Sequence, residues 1–260
     1  PEAVETSLLE PQEMPLSILH EDAELIVLDK SAGLVVHPGA GVRDGTLANG
    51  LLAHLGQSLR VVGAEGRPGI VHRLDKDTSG LMVVAASEAA HAALVRAMEA
   101  REVRREYEAV CVGVMTAGGT VDAAVGRHPV DRLRMAVRDT GKPARTHYRV
   151  MNRYRGHTRV LCRLETGRTH QIRVHMAHIR YPLVGDALYG GRLAIPRGAT
   201  SGLAETLRRF RRQALHARRL ALVHPATGEE VAWEAPLPAD FAGLIAALEA
   251  DRAAEDGEHD

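Results

Sequence analysis

Cysteine is scarce in this chain. Cys111 and Cys162 are the only two, each in an apolar, strand-like stretch and neither with a CxxC neighbour. That pattern argues against a disulfide scaffold or a thiolate metal site and reads as two reduced core thiols in a cytoplasmic protein. Long hydrophobic runs are missing too: no stretch of about 18 apolar residues occurs, so no membrane-spanning helix is expected. The start, Pro1-Glu2-Ala3-Val4-Glu5, has neither the basic segment nor the apolar run of a signal peptide, and it lacks Met. The chain therefore reads as part of a longer one whose natural N-terminus lies upstream. Lysine is nearly absent: apart from Lys30, Lys76 and Lys142, every base is arginine.

What is present suffices for a folded domain. Of 260 residues, 45% are hydrophobic, enough to bury a sizeable core. The net charge of zero hides a segregation. Residues 1–30 carry eight acids and one base, and residues 229–260 carry ten acids and one base. Between Arg127 and Arg173 lie thirteen bases and three acids, and Arg208, Arg209, Arg211 and Arg212 form a second cluster. Arginine pairs bidentately with phosphate and stacks on bases, so the clusters point to a polyanion-binding surface.

Residues 1–16 read as an acidic, proline-containing tail, 17–250 as one folded domain and 251–260 as an acidic C-terminal tail. Extended runs are expected at 24–28, 33–37, 70–72, 81–85 and 107–114, with a short helix from Thr46 to Leu55. Ser87 to Arg101 is the clearest helix, with Ser87 as N-cap and Ala90, Leu94, Ala97 and Met98 at helical spacing. Residues 146–154 and 157–165 flank Arg155-Gly156 as a hairpin, with Tyr148, Val150, Val160 and Cys162 on its core face. Trp233 sits in a late strand, and 241–250 is a terminal amphipathic helix. Strands and helices mix without βαβ regularity, which predicts an α+β fold around a mixed, largely antiparallel sheet with flanking helices.

The informative segment is Gly69-Ile70-Val71-His72-Arg73-Leu74-Asp75-Lys76-Asp77-Thr78-Ser79-Gly80-Leu81, where apolar strand signals bracket a loop of His, Arg and two carboxylates. Loops held by rigid strands are where reactive groups tend to sit. Asp77 and Thr78 read as ordinary turn residues.

His72-Arg73-Leu74-Asp75 with Thr78-Ser79-Gly80 resembles the signature of the RluA-type pseudouridine synthases, particularly the RluD-like branch. The resemblance runs from about residue 15 to residue 243. It takes in Asp29-Lys30-Ser31-Ala32-Gly33-Leu34-Val35-Val36-His37-Pro38-Gly39, Arg105-Glu106-Tyr107, Thr166-Gly167-Arg168-Thr169-His170-Gln171-Ile172-Arg173-Val174-His175 and Pro182-Leu183-Val184-Gly185-Asp186. Arg212-Gln213-Ala214-Leu215-His216-Ala217 and His224-Pro225 close it. Many ordered matches make a specific signal, unlike a lone short motif.

The resemblance implies a pseudouridine synthase fold with a catalytic cleft and an isomerisation. Uridine's N1–C1′ bond breaks, the base turns, and C5 bonds to C1′, with no cofactor and no metal. It makes Asp75 the reacting carboxylate, acting on sugar, base or a sugar proton, and Arg168 the guanidinium that orients it. It sets Tyr107 against the target base, where it would stack and assist proton removal at C5. Arg73 would enter the stack vacated by an extruded uridine. His72 would contact RNA or satisfy a strand-end hydrogen bond. Ile172 would form an apolar pocket wall, and Arg173 joins the substrate-binding set. The implied partner is RNA, most of all 23S ribosomal RNA, with transfer RNA as the alternative; no membrane is implied, and the protein is expected to be monomeric. RluD-like enzymes carry an N-terminal S4 RNA-binding domain, and this chain begins where that domain would end.

Two rival readings are weaker. A metal hydrolase built on His170, His175 and His178 lacks the i, i+4 spacing and the glutamate base of an H-E-x-x-H helix. A non-catalytic RNA-binding module would use the basic clusters but has no need of the Asp75 loop together with Arg168.

Overall fold

A computed structural model describes residues 9–39, 41–56, 62–63 and 68–257, so residues 1–8 and 258–260 of the expected tails lie outside it. The chain forms two compact units, Pro1–Val103 with Ala221–Trp233, and Arg104–Leu220 with Glu234–Asp260.

In the first unit, β1 (Ile18–Glu21), β2 (Leu25–Lys30) and β3 (Ser79–Ala85) pair antiparallel. The register runs from Leu25 opposite Ala85 to Lys30 opposite Gly80. All of β3 and nearly all of β2 are buried, which is why both read as continuous apolar runs. Helix α1 (Leu47–Leu55) starts at Thr46, whose N–H donates to Asn49 Oδ1 at 3.0 Å. Helix α2 (Glu88–Glu99) starts at Ser87, whose hydroxyl accepts from Ala90 N–H at 3.0 Å, as its sequence announces. Residues 33–37 are extended in sequence character but form no strand. Their carbonyls serve other donors: Val35 O and Val36 O accept from Leu47 and Ala48 at the opening of α1, and Leu34 O accepts from Lys30 Nζ. Of the strand expected at 70–72, only a bridge from Ile70 to Val84 forms.

The second unit holds β4 (Arg104–Val112), β5 (Gly119–Asp122), β6 (Val125–Arg127), β7 (Met135–Val137), β8 (Arg145–Arg153), β9 (His157–Leu164), α3 (Gln171–His178) and α4 (Ser201–Arg209). Most of β10 (Leu215–Val223) also belongs to it; the end of β10 and nearly all of β11 (Glu230–Glu234) belong to the first unit. The sheet order here is β4-β9-β8-β5, antiparallel throughout, and β6–β7 is a separate hairpin. The β8–β9 hairpin pairs Tyr148 with Cys162 and Val150 with Val160, the expected core face. The α+β expectation, a mostly antiparallel sheet flanked by helices, is met.

Helix α5 (Ala239–Gly257) runs past the expected 241–250 because its acids have partners. Asp251, fully buried, accepts from Arg155 Nε at 3.1 Å and from Thr200 N–H at 2.6 Å. Arg155 also reaches Glu255 at 3.4 Å, and Arg212 forks onto Asp240. In the sheet, Glu108 is buried between Arg159 and Arg218. Part of the basic clusters read as a polyanion surface, namely Arg155, Arg159 and Arg212, is thus neutralised by the acidic C-terminal segment and by Glu108. The segregation of charge along the sequence reports intramolecular pairing as well as any external partner.

His157 opens β9 at 1% exposure, and neither ring nitrogen has a hydrogen-bond partner among the described residues. Burial pushes its pKa down from 6.5 to about 4. Above pH 6.5 the ring is neutral folded and unfolded, and proton uptake at this site does not change the stability. Below 6.5 only the unfolded chain takes the proton, so stability falls until the folded pKa near 4 is reached. At about 1.4 kcal/mol per pH unit the loss is about 3 kcal/mol. Unfolding free energies from denaturant titrations at pH 7 and pH 4.5 should show about 2.5 kcal/mol of this drop in wild type, and a drop smaller by that amount in His157→Asn.

Candidate active site

In the first unit the Asp75 loop is fixed from behind by Lys30. That lysine is 1% exposed, and its Nζ donates to Ser31 O and Leu34 O at 2.8 Å and to Lys76 O at 2.9 Å. Gly33 N–H donates to the same Lys76 carbonyl at 2.9 Å. Thr78 N–H closes a turn onto Asp75 O at 3.0 Å, and Leu74 is buried between its two polar neighbours. Gly80, the second residue of β3 and paired with Lys30, holds φ +114°, which a residue with a Cβ would adopt only with strain. The result is a half-buried Asp75 carboxylate on a loop whose backbone is tied at several points. A cation so deeply placed within an apolar strand was the signal for Lys30, and sequence reading gave it no role.

The neighbours of Asp75 divide. Arg73 is exposed, with Nη1 at 3.1 Å from His37 Nε2; His37 Nδ1 in turn lies 3.2 Å from Pro38 O. His37 thus braces Arg73, a second role that sequence reading missed. His72 Nε2 accepts from Val83 N–H at 3.0 Å, the strand-end hydrogen bond that was one of its two expected roles.

In the second unit Tyr107 is buried in β4 opposite Cys162. Arg168 is exposed, its N–H donating to Gln171 Oε1 at 3.0 Å and its Nε to Pro143 O at 3.1 Å. Gln171 ties the segment: Oε1 also accepts from Thr166 Oγ1 at 2.8 Å, and Nε2 donates to Arg145 O and to Thr146 Oγ1, each at 3.0 Å. Both donors and both lone pairs of that amide are thereby used up in aiming Arg168. Any side chain at Gly167 would meet Arg105 Nη1 at 2.8 Å, so glycine there makes room for a buried guanidinium. Ile172 is buried in the first turn of α3.

Arg173 needs correction. Its Nε and Nη2 fork onto Asp186 Oδ2 and Oδ1 at 2.7 and 2.9 Å, both side chains are buried, and the guanidinium lies 5.0 Å from the Tyr189 ring centroid. This is a structural ion pair rather than a substrate contact. His170 caps α3 in the left-handed region at φ 56°, with Nδ1 2.8 Å from Tyr189 Oη. His175, whose pKa burial lowers, is held between Thr146 Oγ1 and Ala123 O at 2.8 Å each. Neither imidazole is arranged as a metal ligand.

Among the described residues one group has metal-like spacing, His20, Asp22 and His224. His224 Nδ1 accepts from Ala226 and Thr227 N–H, both at 3.3 Å, so Nε2 carries the ring proton toward Asp22 Oδ2 at 3.0 Å. A nitrogen that donates cannot ligate. Burial alone would raise the Asp22 pKa, but hydrogen bonds from His20, Leu25, Glu24 and His224 hold it well below the usual carboxylate range. The trio is a clasp joining the β1–β2 turn to the turn after β10.

Residues 24–178 match the family model described as RNA pseudouridylate synthase. The chain is 58% identical over 243 residues to the ribosomal large subunit pseudouridine synthase D of Pseudomonas aeruginosa, covering 94% of this chain and 75% of that one. Against the Escherichia coli K12 protein of the same name the identity is 55% over 250 residues, covering 96% and 76%. The solved structure of human RNA pseudouridylate synthase domain containing 4 superposes with a TM-score of 0.67 at 29% identity, covering 90% and 93%. Human RNA pseudouridylate synthase domain containing 1 gives 0.65 at 28%, covering 90% and 87%. With the Asp75 loop, Tyr107 and the Arg168 segment all inside the matched region, the chain belongs to the RNA pseudouridylate synthase family, as an RluA-type member.

Proposed function

We propose that this enzyme isomerises uridine to pseudouridine in large-subunit ribosomal RNA. The observation that carries this reading is the match, over 94% of the chain, to a relative named for that substrate. Asp75, on its braced loop, acts on the nucleoside as nucleophile or proton acceptor, and a carboxylate is the group such covalent or acid–base work needs. Arg168, exposed and aimed by Gln171, is the cation that the family resemblance assigns to orienting the reacting carboxylate. Tyr107 lies against the base and assists departure of the C5 proton, with Ile172 as an apolar wall. Arg73, exposed and steadied by His37, fills the gap left when the uridine leaves its stack, an extrusion costing a few kcal/mol. No cofactor enters this chemistry. No helix among the described residues is long and apolar enough to cross a membrane; a cytoplasmic monomer acting on ribosomal RNA is the setting we propose.

The test is direct. Purified protein is incubated with an unmodified transcript of the large-subunit ribosomal RNA, and pseudouridines are mapped by carbodiimide adducts that stop reverse transcription. New stops at discrete uridines are expected. Stops on transfer RNA alone would move the substrate; none on any RNA would overturn the reading.

A further inference from the structure

The most exposed large apolar side chains among the described residues are Val130 at 86% and Leu133 at 77%. They lie three residues apart on one loop, the tip of the β6–β7 hairpin. Two such side chains in water are ordinary when scattered, but here the loop is built so that they cannot fold back. His128 Nδ1 accepts from Val130 N–H at 3.3 Å and Asp131 N–H at 3.0 Å, and Asp131 Oδ1 accepts from Leu133 N–H at 3.0 Å. Arg134 N–H closes a turn onto Asp131 O at 3.1 Å, and His128 N–H bonds Arg134 O at 3.0 Å. The backbone donors of 130, 131, 133 and 134 are all spent inside the loop, which fixes its shape before any partner arrives.

The base of the hairpin is equally fixed. Val125, Met135 and Val137 pack with Val174 of α3 and with Tyr189. Met135 N–H donates to Tyr189 Oη at 2.8 Å, the same oxygen that meets His170 Nδ1, two residues from Arg168. Arg134 lies 5.3 Å from the centroid of the Tyr189 ring. The finger therefore stands on the segment that carries Arg168.

Its charge selects the partner. Arg132 on the tip, Arg127 at the end of β6 and Arg138 just after β7 are exposed along the hairpin, Arg138 Nη1 donating to Arg127 O at 3.1 Å, and Asp131 turns one oxygen inward to its own loop. An apolar wedge flanked by arginines is the combination with which proteins enter a nucleic-acid groove and pry at a stack. The shallow minor groove of A-form RNA is open to it.

We infer that the β6–β7 hairpin is an RNA-engaging finger, Val130 and Leu133 entering a groove or step of structured RNA while Arg127, Arg132 and Arg138 hold the flanking phosphates. The inference rests on the proposed RNA substrate. Preorganisation means that little ordering entropy is lost on binding.

The experiment compares wild type, Val130→Ser/Leu133→Ser and Arg132→Ala/Arg138→Ala on the large-subunit ribosomal RNA transcript. Affinity is measured across salt concentrations, alongside pseudouridine formation. At such exposure the serine variant should melt like wild type. It should bind about tenfold more weakly with an unchanged salt slope, because burying apolar surface releases no counterions. The arginine variant should bind more weakly and lower the slope by about one for each phosphate it no longer holds. Wild-type affinity in the serine variant, with wild-type enzyme active on that RNA, overturns the finger and leaves the tip to a protein partner. Inactive wild-type enzyme would instead overturn the proposed function.

Discussion

Asp75→Asn is expected to abolish pseudouridine formation, by at least about a thousandfold, while RNA affinity stays within about twofold of wild type. The substitution exchanges one oxygen for an amide of the same size and removes the charge and nucleophilicity. The backbone ties that shape the loop are not touched. The turn is closed by the Asp75 backbone carbonyl, the anchor is Leu74, and the brace is Lys30 on Lys76 O. A thousandfold loss corresponds to about 4 kcal/mol of transition-state stabilisation. A companion, Arg168→Lys, keeps a charge but loses the planar fork, and should fall between the two. Single-turnover kinetics on the ribosomal transcript measure both. If Asp75→Asn turned over at a tenth of the wild-type rate, the carboxylate would not be the reacting group.

The second large effect is on stability. Asp186→Ala leaves the Arg173 guanidinium buried without its bidentate partner, and strips the acceptor from Leu188 and Tyr189 N–H at 3.0 and 3.1 Å. Breaking one side of a buried pair costs about 3–5 kcal/mol, because the stranded charge cannot reach water. For a chain of this size the melting temperature should drop by about 10 °C. Tyr189 would lose its seat beneath Arg173, and with it the tie from His170 to Met135. Activity should therefore fall even at temperatures where the variant is folded. Removing both charges, as Arg173→Met/Asp186→Leu, should recover most of the stability. Calorimetry of the three proteins decides it: a single variant within about 1 kcal/mol of wild type would mean that the pair is not closed as described.

The segments that could be read in advance carry their determinants locally. Ser87 caps α2 with its own hydroxyl, and Thr46 does its work with Asn49 three residues on. The β8–β9 hairpin shows its alternation and its Arg155-Gly156 turn within twenty residues. Helix α3 gave no such warning. It is eight residues long, starts from a left-handed His170 without a side-chain cap, and buries Gln171, Arg173 and His175 alongside Ile172 and Val174. No stripe of apolar residues exists to be seen, because each polar side chain is satisfied by a distant partner: Thr146, Asp186 or Ala123. The same cause hid the true role of Arg173. The motif residues of the site were legible through family resemblance. What positions them, Lys30, His37 and Gln171, is set by hydrogen bonds between segments far apart in the chain, which no local pattern announces.

The pairing of α5 with the arginines of the middle segment bears on discrimination. Asp240, Asp251 and Glu255 withdraw Arg212 and Arg155 from solution, and Glu108 withdraws Arg159. A protein of thirty-three bases that met RNA with all of them would adhere to any polyanion and dissociate slowly from the wrong one. By occupying part of its own cationic surface, this chain leaves the remainder in a few places. Encounters with the wrong transcript should then be brief, and turnover faster than the raw arginine content suggests.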